Sequence, residues 1–313
     1  MKVASVAAGL GISLSCLFNL VTSGYGQSAS AQGSTITPEA SAARQEALRA
    51  NPQAAAIARG ATGRIVGGEP VLIVDNPWQV ALVRGFIAEP QRSQFCGGSI
   101  IGTDWVLTAA HCIRNTIVRE DPSRVNVVVG TPQFFIGGER ISVAAIHVHP
   151  QYNDLTNEFD FALLRLSGPV TTGGAAVARP IELAAAATQV PDGTETLVTG
   201  WGAVSEGGPG SLDLLGAQVP IVSTAVCNRP ESYNGDITAN MICAGREAGG
   251  IDSCQGDSGG PLSATLNGRR VLIGVVSFGE GCARRLKFGV YARVPVAAQW
   301  IASTTGTAGG SKK

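Results

Sequence analysis

The sequence predicts an all-β fold built from many short strands, an antiparallel barrel or sandwich, with one helix at the C-terminal end. Short runs rich in Val and Ile alternate with Gly, Pro and Asp turns from residue 65 onward, as in 125–129 and 271–276. Glycine is abundant, with 41 in 313 residues. Sustained helical periodicity occurs only at the end, where residues 294–303 place apolar side chains on one face.

The first residues indicate a secretory signal peptide. One positive charge precedes a mostly apolar stretch over 3–21, and Ala29-Ser30-Ala31 has the Ala-x-Ala pattern of a cleavage site. We therefore expect residues 1–31 to be removed on export. A retained membrane anchor is the competing interpretation, although polar residues interrupt the stretch. A lipid on Cys16 is a third, although the residues before it are a poor lead-in.

Residues 32–64 are predicted to form a flexible pro-segment. They are rich in Ala, Gln and Arg, contain no aromatic residue and include few large apolar ones, so they cannot bury much surface. The segment ends at Gly63-Arg64, directly before Ile65-Val66-Gly67-Gly68. The globular domain is expected over 65–313, with a frayed tail at 305–313.

The cysteine count indicates an oxidising compartment. Cys16 lies in the leader, and the other six of the seven cysteines lie between residues 96 and 282. Removal of the leader therefore leaves an even number, which predicts three disulfides. Free thiols or a metal site are the alternative, but the sequence has no Cys-x-x-Cys and its three histidines do not have zinc spacing. A formal net charge of zero and the lack of Lys or Arg runs argue against a nucleic-acid partner.

The candidate nucleophile is Ser258 in the motif Gly256-Asp257-Ser258-Gly259-Gly260. A serine hydroxyl becomes reactive when a base takes its proton and when donors face the oxygen that becomes negative. The flanking glycines let backbone N–H groups approach a substrate. Alone, the motif is equally compatible with a Gly-rich turn that carries a solvated serine.

His111 is the candidate base and Asp160 the candidate acid. A disulfide from the adjacent Cys112 would hold the backbone beside the imidazole, whereas a histidine after two alanines is otherwise often a packed or surface residue. Asp160 lies between two phenylalanines at the start of an apolar run, where a carboxylate is costly without a partner. A turn cap is its alternative role, and Glu158 and Asp154 are the rival acids.

The order His, Asp, Ser, with these flanking residues, resembles the chymotrypsin/trypsin family of serine proteases. The resemblance spans residues 65 to 303 and implies two packed antiparallel six-stranded β-barrels, at 65–175 and 176–304, the second followed by a helix. Seven motifs carry it: Ile65-Val66-Gly67-Gly68, Phe95-Cys96-Gly97-Gly98-Ser99, Thr108-Ala109-Ala110-His111-Cys112, Asp160-Phe161-Ala162-Leu163-Leu164, Gly200-Trp201-Gly202, Gly256-Asp257-Ser258-Gly259-Gly260-Pro261 and Gly289-Val290-Tyr291.

The resemblance also implies a role for each site residue. Ser258 attacks the scissile carbonyl, His111 moves the proton, and Asp160 orients His111. The N–H groups of Gly256 and Ser258 form the oxyanion hole. No cofactor is implied.

Activation by proteolysis follows from the same resemblance. Cleavage between Arg64 and Ile65 would free an ammonium group that turns inward and pairs with Asp257, next to the nucleophile. A buried carboxylate without a partner is costly, so such a pair can hold the loop in its active shape. The alternative is that Arg64 is an ordinary arginine in a linker.

The specificity pocket is implied to have Asp252 at its floor, beside Ser253. Gly279 and Gly289 match the pocket walls, and Ser277 lies on the substrate-binding strand. A negative floor below an open shaft favours Arg or Lys before the scissile bond. The implied disulfides are Cys96–Cys112, Cys227–Cys243 and Cys254–Cys282, whereas the sequence alone leaves fifteen connectivities open.

The sequence departs from the family pattern in a few places. Phe278 stands where trypsin-like enzymes usually carry Trp, and Glu280 next to the pocket suggests a preference for a basic or polar group nearby. The region of the family's calcium loop, 130–140, holds only one acid, Glu139, so we expect no metal. His147 and His149 match no catalytic position and are expected to be structural or surface residues.

We therefore expect a monomeric serine endopeptidase, extracellular or periplasmic, that acts on protein or peptide substrates, with protein protease inhibitors as candidate partners and no membrane contact after signal removal. A catalytically silent relative used as a binding or adhesion module is the first alternative. An esterase on another fold is the second, but there Gly-x-Ser-x-Gly precedes the Asp and the His, and the order here is the reverse.

Overall fold

The structure is a computed structural model that describes residues 66–114, 119–131, 133, 138–171 and 178–306. The predicted signal peptide with Cys16, the pro-segment, the junction between Arg64 and Ile65, and residues 307–313 of the tail lie outside the described residues.

A first closed barrel contains six antiparallel strands in the order β2-β3-β4-β7-β6-β5. These strands are β2 (Gln79–Arg84), β3 (Gln94–Ile100), β4 (Trp105–Thr108), β5 (Val125–Val129), β6 (Glu139–Val148) and β7 (Ala162–Leu166). A short helix α1 (Pro90–Ser93) precedes β3, and 3-10 turns occur at Ile73–Asp75, Ala110–Cys112 and Pro122–Arg124.

A second barrel closes in the same manner, since β9 pairs with both β10 and β12 and completes the ring β9-β10-β11-β14-β13-β12. Its strands are β9 (Glu195–Gly200), β10 (Leu215–Val222), β11 (Met241–Ala244), β12 (Pro261–Leu266), β13 (Arg269–Phe278) and β14 (Gly289–Arg293). Helix α2 (Thr224–Cys227) precedes β11, and helix α3 (Val294–Thr305) follows β14. The predicted fold class, two six-stranded barrels and a C-terminal helix, is confirmed.

Two short strands join the second barrel at its edges. Strand β8 (Glu182–Leu183) runs parallel to β13. Strand β1 (Glu69–Pro70) pairs with β10, although it lies in the segment expected to belong to the first barrel. The first barrel therefore occupies 79–166, and the start of the domain is attached to the second barrel.

Alternation along β2 and β5 gives each strand two buried faces. Val125, Val127 and Val129 are fully buried inside the first barrel, since successive side chains of a strand point to opposite faces. Val128, on the other face of β5, packs with Trp201 of the second barrel. The valine-rich run therefore builds both a barrel interior and the contact between the barrels.

Helix α3 begins with Pro295 in its first turn, where a missing N–H costs nothing, and ends at Gly306 in the left-handed conformation (φ 72°). Its buried side chains include Ala297 and Ile301. The described part of the chain contains no helix with the length and apolarity needed to cross a bilayer.

Candidate active site

Two neighbouring strands bring His111 and Asp160 together. His111 lies in the 3-10 turn after β4, Asp160 lies just before β7, and these strands pair through Thr108 and Ala162. The His111 Nδ1 is 2.7 Å from Asp160 Oδ2, and the main-chain N–H of His111 donates to Oδ1 at 2.9 Å. Asp160 is fully buried. The carboxylate thus fixes both the ring and the backbone of the candidate base.

The rival acids lie elsewhere. Glu158 accepts a hydrogen bond from Asn240 Nδ2 at 2.7 Å, and Asp154 is exposed. Of the three acids named from the sequence, Asp160 is the one hydrogen-bonded to His111.

The charge of Asp160 controls the titration of His111. Burial alone would lower the pKa of the imidazole, but the adjacent carboxylate, through its charge and its hydrogen bond, outweighs burial and raises that pKa above 6.5. Because Nδ1–H donates to Asp160 in the neutral ring, Nε2 is the nitrogen that can accept a proton.

Ser277 on β13 adds a contact that the sequence did not predict. Its Oγ donates to Asp160 Oδ2 at 2.5 Å, so the second barrel also holds the carboxylate. The sequence predicted Ser277 only as a substrate-binding residue, because nothing in its local motif indicates a partner 117 residues away.

Ser258 is anchored beside the histidine turn by strand β3. The main-chain N–H of Gly97 donates to Ser258 O at 2.7 Å. The preceding residue, Cys96, forms a disulfide with Cys112, the neighbour of His111. One short stretch of β3 therefore tethers both the candidate nucleophile and the candidate base.

The loop before Ser258 is held from within by the side chain of Asp257. Its Oδ1 accepts from Gly202 N at 2.8 Å and its Oδ2 from Cys254 N at 2.9 Å. Burial raises the pKa of this carboxyl to about 6, although both hydrogen bonds act in the opposite direction. Gly256 has a φ of 96°, which favours glycine, and a Cβ there would lie 3.2 Å from Gly202 Cα.

A cavity of about 200 Å³ is lined by all of the residues predicted to bind substrate, together with the candidate nucleophile. Asp252 is only 4% exposed, whereas Ser258 is partly exposed, so the acid lies at the inner end. The residues shared by the prediction and the cavity are Asp252, Ser253, Ser258, Ser277, Gly279 and Gly289.

The environment of Asp252 disfavours its charge. Burial raises its pKa to about 7, against hydrogen bonds from Ala283 N at 3.3 Å and Ser253 N at 2.8 Å. A Cβ at Gly289 would lie 2.7 Å from Asp252 Oδ1, so any side chain there would cover the carboxylate. A Cβ at Gly279 would meet no atom closer than 3.7 Å. A cationic group that enters the cavity would relieve the electrostatic cost of the buried acid.

The described residues contain three disulfides, and they are the pairs that the resemblance implies: Cys96–Cys112, Cys227–Cys243 and Cys254–Cys282. The third joins two walls of the cavity, because Cys254 and Cys282 both line it.

Of the residues that depart from the family pattern, Phe278 lines the cavity and Glu280 follows the lining residue Gly279. Phe278 meets Tyr233 edge to face at 6.0 Å, and the Tyr233 hydroxyl donates to the carbonyl of the buried Phe288 at 2.6 Å. Glu280 is bonded to Lys287, with Nζ and Oε2 2.8 Å apart. Glu280 therefore has a basic partner within this chain.

The other two histidines have packing roles. His149 is buried, stacks on Phe159 at 4.8 Å between ring centroids, and meets Trp300 of α3 edge-on at 4.7 Å. Burial lowers its pKa. His147 lies against Trp105 at 5.6 Å.

Within the described residues, one cluster has the spacing of metal ligands: Cys96, His111 and Cys112. The two sulfur atoms form a disulfide, so they cannot serve as thiolate ligands. Glu139 accepts from Thr171 Oγ1 at 2.5 Å. We assign no metal to either place.

The comparisons with known proteins match the same part of the chain. The family model described as Trypsin matches residues 65–301. The protein named Trypsin 5G1 from Aedes aegypti is 39% identical over 245 residues, which cover 78% of this chain and 86% of that protein.

Proposed function

Since the chain belongs to the trypsin family of serine proteases, we propose that it is a secreted endopeptidase that cuts peptide bonds after Arg or Lys. The observation that carries this proposal is the cavity that runs from Ser258 to the buried Asp252. A long cationic side chain fits such a shaft, and Arg can pair with the carboxylate through two hydrogen bonds.

The geometry supports a division of labour among His111, Asp160 and Ser258. Ser258 Oγ attacks the carbonyl carbon while His111 Nε2 takes its proton, and the tetrahedral intermediate collapses to an acyl-enzyme as His111 protonates the leaving amine. A water then repeats the sequence and releases the acid. Asp160 stabilises the imidazolium, consistent with the 2.7 Å contact and the raised pKa of His111.

The N–H groups of Gly256 and Ser258 are proposed to stabilise the oxyanion. Each such donor contributes about 2.7–4 kcal/mol to transition-state stabilisation. The conformation of Gly256 and the bonds made by Asp257 support a loop held in one shape.

Activation is proposed to follow cleavage after Arg64. The new ammonium group of Ile65 would pair with Asp257, whose carboxylate accepts hydrogen bonds, among the described residues, from two main-chain N–H groups. A buried carboxyl whose pKa burial has raised gains from an adjacent cation. The pair would then stabilise the loop that carries the oxyanion hole.

The proposed organisation has a signal peptide at 1–31, a pro-segment at 32–64 and the enzyme from residue 65, where the family match begins. The three disulfides support an oxidising, extracellular or periplasmic location. We further propose that the processed enzyme is a monomer, and that protein inhibitors bind by presenting Arg or Lys to the cavity.

Reporter peptides that differ only at the residue before the scissile bond test this proposal. We expect the chain cut after Arg64 to hydrolyse the Arg and Lys peptides and to leave the Phe peptide nearly untouched, while the uncut chain is inactive. A folded, cut chain that hydrolyses none of them would instead indicate the silent binding module.

The variant Asp252→Ser tests the pocket separately. We expect kcat/KM for the Arg peptide to fall by about two to four orders of magnitude, which corresponds to the roughly 3–5 kcal/mol lost when one member of a buried pair is removed. Labelling of Ser258 by a small serine-directed reagent is the control and should persist. Unchanged turnover of the Arg peptide would refute the assignment of the floor.

A further inference from the structure

Gln94 makes a contact between the barrels that none of the roles above uses. It is the first residue of β3 and follows α1, whose residue Pro90 accepts the Gln94 main-chain N–H. Its side chain reaches the second barrel, where Nε2 donates to Gly256 O at 3.1 Å. Gly256 lies 162 residues away in the chain and is one of the two proposed oxyanion donors.

The same strand also holds the other donor residue. Gly97, three residues after Gln94, donates its main-chain N–H to Ser258 O at 2.7 Å. The carbonyl groups of both donor residues are therefore bound to β3. The bond from Gly97 is available to any residue with a main-chain N–H, whereas the bond from Gln94 depends on the side chain.

A hydrogen bond to the Gly256 carbonyl would restrict a backbone segment that otherwise rotates easily. Gly256 has a φ of 96° and no Cβ, so the two peptide groups that flank it rotate more easily than peptide groups that flank a residue with a side chain. Asp257 holds the inner side of the loop through Gly202 and Cys254. Gln94 approaches from the first barrel, so the segment between the two N–H donors is fixed from two directions.

We propose that Gln94 is a positioning residue of the oxyanion hole. It touches no substrate and acts through Gly256, whose carbonyl it holds so that the N–H groups of Gly256 and Ser258 keep their direction. This inference rests on the proposed function, since it concerns the stabilisation of the tetrahedral intermediate at Ser258.

A positioning role affects the transition state and spares ground-state binding in the Asp252 cavity. Loss of one neutral hydrogen bond corresponds to a change of about three- to tenfold. That change should appear in kcat for amide substrates, with KM little altered, because the oxyanion develops only after attack.

The experiment compares two ligands on the chain cut after Arg64. An arginine peptide aldehyde adds to Ser258 and places an oxygen in the oxyanion hole, whereas benzamidine fills the cavity without forming a bond. In Gln94→Met, which keeps the length and loses the donor, we expect aldehyde affinity to fall about three- to tenfold and benzamidine affinity to change less than twofold. Gln94→Glu, which keeps the shape and cannot donate when ionised, should show the same pattern.

Ser93→Ala is the matched control, because the Ser93 Oγ donates within the preceding turn, to Pro90 O at 3.1 Å, and makes no hydrogen bond to the second barrel among the described residues. We expect it to change neither affinity. The proposal is overturned if Gln94→Met and Gln94→Glu leave aldehyde affinity unchanged, if they weaken both ligands equally, or if Ser93→Ala reproduces their effect. A wild-type chain that hydrolyses no Arg peptide would contradict the proposed function instead, so the two failures are distinguishable.

Discussion

Asp252 and Asp257 belong to one loop and both have a pKa raised by burial, yet their surroundings differ. Asp257 is enclosed, and Gly200 and Gly202 lie so close to it that a Cβ on either would collide with its carboxyl. Asp252 faces the cavity. The carboxylate of Asp257 therefore suits a permanent internal partner, and that of Asp252 suits a partner that enters and leaves with the substrate.

A pH-dependent cost of folding is predicted for Asp252. Its pKa is about 7 in the folded protein, against an ordinary value of 3.8, so the folded state binds the proton more tightly. The resulting stability is fully present below pH 3.8 and is lost as the pH rises to 7. Asp252→Asn, which does not ionise, should thus be more stable than the wild type by about 1–4 kcal/mol above pH 7, and the difference should vanish near pH 3.5.

Urea unfolding at a series of pH values measures this difference. Both proteins should carry Ser258→Ala, so that self-cleavage does not interfere. Comparing the two proteins cancels the titration of groups remote from Asp252, so a difference in unfolding free energy that stays constant with pH would show that the folded-state pKa of Asp252 is not raised.

The segment after β9 supports the loop that carries Ser258, the proposed nucleophile. Gly202 donates its N–H to Asp257, and a Cβ at Gly202 would lie 2.5 Å from the carboxyl of Asp257. Gly202→Ala should therefore displace Asp257 and lower kcat/KM by roughly ten- to a hundredfold, the range of one hydrogen bond to a charged group.

Gly168→Ala is the matched control for Gly202→Ala. A Cβ at Gly168 meets no atom within 4 Å, and its backbone is outside the left-handed region. The rate of hydrolysis of an Arg reporter peptide measures both variants. Equal activity in the two would show that the loop does not depend on the Gly202 contact.

Elements with strong local signals were predictable from the sequence, and elements defined by distant partners were not. The valine run at 125–129 forms β5 as expected. The helix predicted at 294–303 is present and ends two residues later, at Thr305. Strand β1 consists of Glu69 and Pro70, which have no apolar alternation, so its pairing with the second barrel is determined by tertiary structure alone.

The candidate site shows the same division. Six of the residues named from motifs line one cavity, and His111 lies within hydrogen-bond distance of Asp160, because those motifs are local and distinctive. The bonds from Ser277 to Asp160 and from Gln94 to Gly256 were not predicted, because they join residues 117 and 162 positions apart through single polar side chains.

At the scale of the whole molecule, the site requires both barrels. His111 and Asp160 come from the first barrel, and Ser258 and Asp252 follow β11 in the second. The barrels meet through a fully buried hydrogen bond from Thr199 Oγ1 to Gln79 Oε1 at 2.5 Å, together with the packing of Val128 on Trp201. Any change that shifts one barrel relative to the other would separate the proposed base, His111, from the proposed nucleophile, Ser258.

Removing disulfides one at a time distinguishes their effect on the stability of the whole domain from their effect on the shape of the cavity. Replacing either Cys227 and Cys243 or Cys254 and Cys282 by Ala should lower the unfolding free energy by roughly 3–4 kcal/mol, since both loops are of moderate length. Only the second change should also weaken benzamidine binding, because that bridge joins two walls of the cavity. Scanning calorimetry measures the stability of both variants, and titration calorimetry measures their affinity for benzamidine. Equal losses of benzamidine affinity in the two variants would contradict the role assigned to Cys254–Cys282 in shaping the cavity.

Covalent labelling with diisopropyl fluorophosphate, followed by peptide mass spectrometry of the chain before and after cleavage at Arg64, tests most directly whether His111 activates Ser258. We expect one adduct, on Ser258, in the cut chain, and its near-complete loss in the uncut chain and in His111→Ala. A folded, cut chain that remains unlabelled, or that carries its adduct on another residue, would contradict the claim that Ser258 is activated by His111.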